Sequence, residues 1–220
     1  MNKWIVGLAA AMATTGAASA QDSNIAIGAG VGTPGANVDV AFKVNDFLRV
    51  RGGGNLFQFD EDVDIDDITY EGELDLSGLS VAADLHPFSN SFMLTGGAYF
   101  GTKEIGVSAS PNEAVTIGDT IFAPDEFGSL VGDVSFEDTA PFIGLGFDNT
   151  FTGSGNWGFR AVVGASLFGS ADVSLDSVGG TLSNDPNLQA ELEAEEAKIE
   201  EDVEDFELYP ILQIGLTYRF

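Results

Sequence analysis

From Phe206 to the C-terminal Phe220, apolar residues occupy every second position: Phe206, Leu208, Pro210, Leu212, Ile214, Leu216, Tyr218 and Phe220. Between them stand Glu207, Tyr209, Ile211, Gln213, Gly215, Thr217 and Arg219. Successive side chains of a β-strand point to opposite faces, so a period of two gives the strand one apolar face and one mixed face. The stretch from Trp157 repeats the pattern. Trp157, Phe159, Ala161, Val163, Ala165 and Leu167 share one face; Gly158, Arg160, Val162, Gly164, Ser166 and Phe168 share the other. Beyond residue 20 no run of about 18 apolar residues occurs, so a spanning helix is not expected.

Six further segments alternate less cleanly. Strands are expected near 24–32, 36–44, 47–59, 70–85, 92–106, 130–147, 157–174 and 206–220. Eight is the smallest common number for a membrane barrel, whose strands show apolar residues to lipid and polar ones to the lumen. The expected fold is therefore all-β: an eight-stranded antiparallel transmembrane β-barrel. Gly78 and the 137–141 region break the parity and are read as bulges or bends. Pro141 and Pro210 each remove a ladder donor, so irregularity is expected there. Connections near 44–46, 86–91 and 148–156 are short, and those near 60–69, 107–129 and 175–205 are long. Short periplasmic turns and long outer loops would put both termini in the periplasm. Phe42, Phe47, Phe88, Phe92, Phe147, Trp157, Tyr218 and Phe220 lie near the short-turn end, where an interfacial girdle belongs. A soluble lipocalin-like barrel, apolar inside and polar outside, is the alternative that parity alone leaves open.

The first 20 residues read as a signal peptide. Lys3 supplies a positive start, Trp4 to about Met12 an apolar stretch, and Ala18-Ser19-Ala20 a small-residue cleavage site. The expected division is 1–20 cleaved and 21–220 barrel domain. There is no cysteine, so no disulfide holds the fold. The chain has 8 Lys+Arg against 35 Asp+Glu, a balance that argues against nucleic acid, which needs a basic footprint.

Lys198 apart, the basic residues beyond the leader fall on the mixed parity of expected strands: Lys43, Arg49, Arg51, Lys103, Arg160 and Arg219. Asp39, Asp84, Asp148 and Glu207 share it. A charge facing hydrocarbon would cost on the order of 2–4 kcal/mol at the midplane, so these groups are expected in the lumen. They form either a satisfied ion-pair network or a gated, charge-lined path. Gly28, Gly30, Gly53, Gly144, Gly146, Gly164 and Gly215 share the inward parity and leave room for a path or for the long arginines.

The leader, the eight-strand rhythm and the ending Gly215-Leu216-Thr217-Tyr218-Arg219-Phe220 resemble the small outer-membrane β-barrel family, with the OmpA transmembrane domain, the opacity proteins, OmpW and the CarO-type uptake channels. Val81-Ala82-Ala83-Asp84-Leu85-His86-Pro87-Phe88 and Ala140-Pro141-Phe142-Ile143-Gly144-Leu145-Gly146-Phe147 are most similar to the CarO-like branch. Leu85 stands where that branch commonly has an aromatic. The resemblance implies that Ile214, Leu216, Tyr218 and Phe220 are the signal read by the barrel-assembly machinery. It also implies passive uptake of small amino-acid-like solutes, without cofactor.

His86 is the only histidine. Ser89 and Ser91 are near it in sequence, but no second motif supports a nucleophile and base, so no enzyme activity is expected. Asp60, Asp62, Asp64, Asp66 and Glu71 have oxygen donors near calcium-loop spacing, with Ile65 where that loop wants glycine. A solvated acidic loop is the plainer reading. Residues 184–205 are expected to form a helical acidic loop: Asp185 caps, Pro186 takes the first helical position, and Leu188, Leu192, Ile199 and Val203 recur at helical spacing. Two functions stay open. One is a small-solute channel with an acidic vestibule for cationic or amino-acid-like solutes. The other is a closed structural or surface-interaction barrel whose acidic loops bind a partner or divalent cations. Outer-membrane lipid and lipopolysaccharide are the expected surroundings of either.

Overall fold

The computed structural model describes residues 24–65, 68–203 and 208–220, without the side chains of 63–65 and 68–70. The proposed leader, Asp66 and Glu207 lie outside the described residues. In chain order the elements are β1 (Ile25–Gly32), β2 (Gly35–Lys43), β3 (Leu48–Ile65), β4 (Ile68–Leu85), β5 (Phe92–Ala109), β6 (Val115–Ile117), β7 (Thr120–Phe122), the short α1 (Pro124–Phe127), β8 (Gly128–Phe136), β9 (Thr139–Asp148), β10 (Trp157–Leu167), β11 (Ala171–Gly179), α2 (Pro186–Val203) and β12 (Leu208–Arg219).

Eight of these strands close a ring. Each of β1 to β5 pairs antiparallel with the next, β5 pairs with β9, β9 with β10, β10 with β12, and β12 returns to β1. The closed antiparallel barrel is the expected one, with α2 between its last two strands. Its polarity is inside-out. Ile27, Val40, Leu79, Val81, Ile143, Leu145, Val163, Ile214 and Leu216 stand exposed on the outer face, Leu79 at 65% and Ile143 at 74%. Asp39, Arg49, Asp84 and Arg160 are buried within. A soluble barrel has the reverse arrangement. At the short-turn end Phe42, Phe47, Phe88, Phe147, Trp157 and Phe220 are all exposed, as a girdle at a membrane interface would be.

Gly78 is not a bulge. The register runs unbroken through Asn55–Gly78 and Gly78–Gly101. What changes there is the polarity. Below this level the outward residues of β3, β4 and β5 are apolar, among them Val50, Leu79, Val81, Leu94 and Phe100, and Leu56 stands just above it. Above it the outward positions are Gln58, Asp60, Glu73, Asp75, Thr102 and Glu104, paired as Gln58–Asp75, Asp60–Glu73 and Asp75–Glu104. The apolar residues Phe57, Leu74, Leu76, Ile105 and Val107 move to the other face. Directly opposed residues share a face, so the inversion lies at one height across three strands. At 18 residues each, β3, β4 and β5 reach about 60 Å, far more than the apolar band of about 25 Å that a membrane barrel needs. The inversion marks where the wall leaves the band.

The 137–141 region behaves alike. Phe100 opposes Thr139 and Glu104 opposes Ser135, so pairing lapses at Glu137-Asp138 without an inserted residue. A true irregularity separates β10 from β11 at 168–170, where Gly169 takes a left-handed φ of 77°. Both prolines sit within strands where one neighbour has ended. Pro141 pairs with Ala98 beyond the last β9–β10 pair, Ser166–Phe142. Pro210 pairs with Ala165 beyond the last β1–β12 pair, Gly32–Gln213. There Thr33 replaces the missing strand: its hydroxyl donates to the Pro210 carbonyl at 2.7 Å and accepts from the Leu212 amide at 3.1 Å.

The expected long loops are largely ordered structure. The 60–69 loop is a continuation of the β3–β4 hairpin to Ile65–Ile68. Upper β5 pairs with β8, and β8 with β11, so one side of the barrel rises as a tall curved sheet. The hairpin β6–β7, α1 and α2 pack on it around Ile117, Phe122, Phe127, Leu188 and Leu192, with Leu130 and Leu175 against them. The helix matches the expected 184–205: Asp185 Oδ1 accepts the Asn187 amide at 2.9 Å, and the proline follows the cap. Its acidic side has a structural use. Glu196 accepts the Leu175 amide at 2.7 Å and Glu200 the Val173 amide at 3.4 Å, which covers the free edge of β11. Glu191 accepts the Asp119 amide at 2.8 Å and the Thr120 hydroxyl at 2.7 Å, which tie α2 to the β6–β7 turn; these bonds hold its carboxyl below the usual range.

Candidate functional site: the charged core of the barrel

Inward parity brings three arginines and three aspartates into the lumen. Neighbouring strands set the pairs: Asp39 on β2, Arg49 and Arg51 on β3, Asp84 on β4, Asp148 at the end of β9 and Arg160 on β10. Arg51 meets Asp84 with both arms, Nε–Oδ2 at 2.6 Å and Nη2–Oδ1 at 3.1 Å, and donates to the Thr95 hydroxyl at 3.3 Å. Arg160 Nη1 reaches both Asp39 oxygens at 2.9 Å, and its Nε reaches Asp148 Oδ2 at 3.2 Å. Arg49 Nη1 lies 3.6 Å from Asp148 Oδ1, and its guanidinium sits 5.3 Å from the Phe151 ring centroid. Three cations face three anions, so these clusters balance. Five of the six are buried, with Arg49 1% exposed and Asp84 fully enclosed, while Arg51 keeps a small exposed edge. Buried charge is tolerable only when paired and hydrogen-bonded in this way.

The inward glycines let neighbouring strands approach closely. A Cβ on Gly28 would stand 2.7 Å from an Asp39 oxygen, and one on Gly53 only 2.3 Å from the Val38 carbonyl. Gly30, Gly144, Gly146, Gly164 and Gly215 are likewise crowded by facing backbone. They let the wall close onto the ion pairs.

Two more layers complete the filling. Toward the long-loop end Met93, Val162 and Ile211 pack with Tyr99 and Tyr209. Toward the short-turn end the 149–156 turn folds inward. The Thr150 hydroxyl donates to Asp148 and hydrogen-bonds Thr217, and Phe151 packs on Ala26 and Ala41. Asp148 was visible as an inward charge; Thr150, Phe151, Tyr99 and Thr95 were not singled out. The only available signal was inward parity for Thr95 and Tyr99, and none pointed to the turn.

The remaining expected lumen residues lie elsewhere. Lys43 is at the short-turn rim, paired with Asp46 of the adjoining turn at 2.7 Å. Arg219 is at the same rim and donates to the Gly155 carbonyl at 3.2 Å. Lys103 is at the opposite mouth. Ile214, Leu216, Tyr218 and Phe220 run along the lipid-type face of β12 or at its end. Of the expected calcium loop, Asp60, Asp62 and Asp64 belong to β3, opposite Glu73, Glu71 and Thr69. Asp66 and the side chain of Asp64 lie outside the described residues.

His86 follows β4 in a short turn, fully buried, with Nδ1 2.9 Å from the Asn90 carbonyl oxygen and Nε2 unpartnered. Its ring meets neither serine: the Ser89 amide donates to the His86 carbonyl at 3.0 Å, and Ser91 meets Thr152 instead. Burial, with Arg49 nearby, pushes its pKa below 6.5. As pH falls below about 6.5 the unfolded chain takes up the proton first, so this group lowers stability toward acid until the folded value is passed. Urea refolding between pH 7.5 and 5 is expected to show a midpoint falling toward acid, flattened in His86→Gln; equal slopes would contradict the assignment.

Fold and site together define a small inside-out β-barrel with a charge-balanced, filled core. Two solved structures share the fold. CarO2 of Acinetobacter baumannii is 23% identical, with a TM-score of 0.59 over 89% of this chain and 98% of that one. CarO of the same organism is 22% identical, with a TM-score of 0.58 over 92% of this chain and all of that one. The chain is thus a CarO-like small β-barrel in fold. No protein-family model matches the sequence, and no curated protein matches it.

Proposed function

We propose that the protein is an outer-membrane barrel with a closed core, exported by a cleaved leader, inserted through its C-terminal strand and held in lipid and lipopolysaccharide by the apolar band and girdle. Its working part is the acidic outer head, which meets a partner or divalent cations at the cell surface. The filled, neutral ion-pair core carries this reading. An interior in which Asp39, Asp84 and Arg160 are buried and Arg51 is nearly so supports a closed lumen. No chemistry is assigned to His86, and no cofactor is required.

A second reading, a passive small-solute channel with an acidic vestibule, draws on a recess at the outer mouth above the filled core. It requires the arginine–aspartate clusters to separate during passage. Planar-bilayer recording of the refolded mature protein distinguishes the two. Closed-core protein, shown folded by heat-modifiable gel mobility, is expected to give no reproducible steps. Regular cation-selective steps altered by Arg160→Ala would replace the first reading by the second.

A further inference from the structure

Lys103 differs from the other buried cations. Arg49, Arg51 and Arg160 each meet an aspartate, whereas Lys103, 5% exposed, has no carboxylate within ion-pair distance among the described residues. Its ammonium donates to two backbone carbonyls, Gly101 at 3.0 Å and Glu137 at 2.6 Å. An ammonium has three N–H groups, so one donor is left over. The Phe168 ring lies 5.9 Å away.

The same lysine lines a small recess, open at its mouth, above the filled part of the barrel. Its apolar surfaces come from Tyr99, Phe168, Tyr209 and Ile211, with Phe168 stacked on Tyr209 at 4.5 Å between ring centroids. Asn55 lines it too, and its Nδ2 is buried without a partner. An apolar recess holding a few placed polar groups is the usual form of a small-molecule site. Here both unspent polar groups are donors, one of them cationic. Asp138 and Glu137 act on Lys103 only from beyond ion-pair distance, and a buried donor left without a partner is costly unless something completes it.

We propose that this recess binds a small monocarboxylate with a flat apolar or aromatic body, its carboxylate completing Lys103 and its body lying among Tyr99, Phe168 and Tyr209. The inference goes beyond the closed-barrel reading, with the filled layer of Ile211, Tyr99 and Tyr209 as the floor of the recess. The acidic head repels anions at long range, and salt screens that repulsion more than a buried contact. Binding is therefore expected to strengthen, or hold, as salt rises.

The test is ligand-observed fluorine NMR on the mature protein in nanodiscs, with 4-fluorobenzoate as probe and 4-fluorobenzyl alcohol as its neutral match. Benzoate is expected to bind at least tenfold more tightly than the alcohol. Lys103→Met is expected to erase that preference. Ile211→Trp, which fills the recess and leaves every charge in place, is expected to abolish binding of both. Heat-modifiable mobility checks that each variant is folded. Equal affinity for acid and alcohol, or a benzoate signal unchanged in both variants, would overturn the proposal and assign the signal to the nanodisc lipid or to an unspecific surface.

Discussion

Arg160→Met is expected to destabilise the barrel by about 3–5 kcal/mol, the loss typical when one partner of a buried ion pair is removed. The cost comes from the groups left behind more than from the lost attraction. Asp39 would keep only Asn37 Nδ2 at 3.4 Å, and Asp148 only the distant Arg49 and its bonds to Thr150. Methionine keeps much of the volume, so packing loss is small. Urea titration of the protein refolding into lipid vesicles, read by heat-modifiable mobility, gives the number. Adding Asp39→Asn to Arg160→Met is expected to restore part of it, because one orphaned charge is removed. A loss below about 1 kcal/mol would mean that the interior is wet enough to screen the charges, as exposed ion pairs are. That result would count against the closed core.

Leu188→Asp is expected to free the outer head while the barrel stays folded. Leu188 is fully buried with Phe127 and Leu192, in a cluster separated from the lumen layers. A carboxylate there loses the 2–5 kcal/mol of a leucine truncation and adds an unpaired charge. Local stability governs proteolysis when opening is fast. At 1.4 kcal/mol per tenfold, cleavage within 180–207 is expected to quicken on the order of a hundredfold. Heat-modifiable mobility is expected to be unchanged. Loss of both together would show that head and barrel fold as one unit, and the head could not then be treated as a separable part.

The barrel was legible because lipid imposes a uniform rule on one face of every strand. Trp157–Leu167 and Leu208–Phe220 carry that rule in full, and the helix was announced by Asp185-Pro186. What sequence reasoning missed follows from where the rule stops. Asp60, Asp62 and Asp64 put acid on the outward parity, with Val63 and Ile65 on the other and Glu61 as the exception. Against an expectation of lipid the segment read as a loop, and the same inversion made Gly78 look like a bulge. Parity also sorted Arg49, Arg51 and Arg160 inward yet gave no partner for them. Arg160 reaches Asp39 from β10 across β12 and β1, a contact fixed by closure and stagger of the ring, which no local pattern encodes. The inward fold of Thr150 and Phe151 is a turn conformation, and composition says only that a turn is there.

The β1–β2 hairpin closes at Thr33-Pro34, while its neighbour β3 continues from Leu56, opposite Ala36, to Ile65. Nine further residues at the usual strand rise carry β3 about 30 Å along its own axis beyond Leu56, well past the turn. The rampart is therefore lopsided: high along β3, β4, β5, β8 and β11, and cut to a notch at β1 and β2. Pro34, at the floor of that notch, also borders the recess that holds Lys103. A molecule arriving from above meets the tall acidic sheet and the helix. One approaching from the side of β1 and β2 meets the low part of the wall, so the barrel has a front and a back.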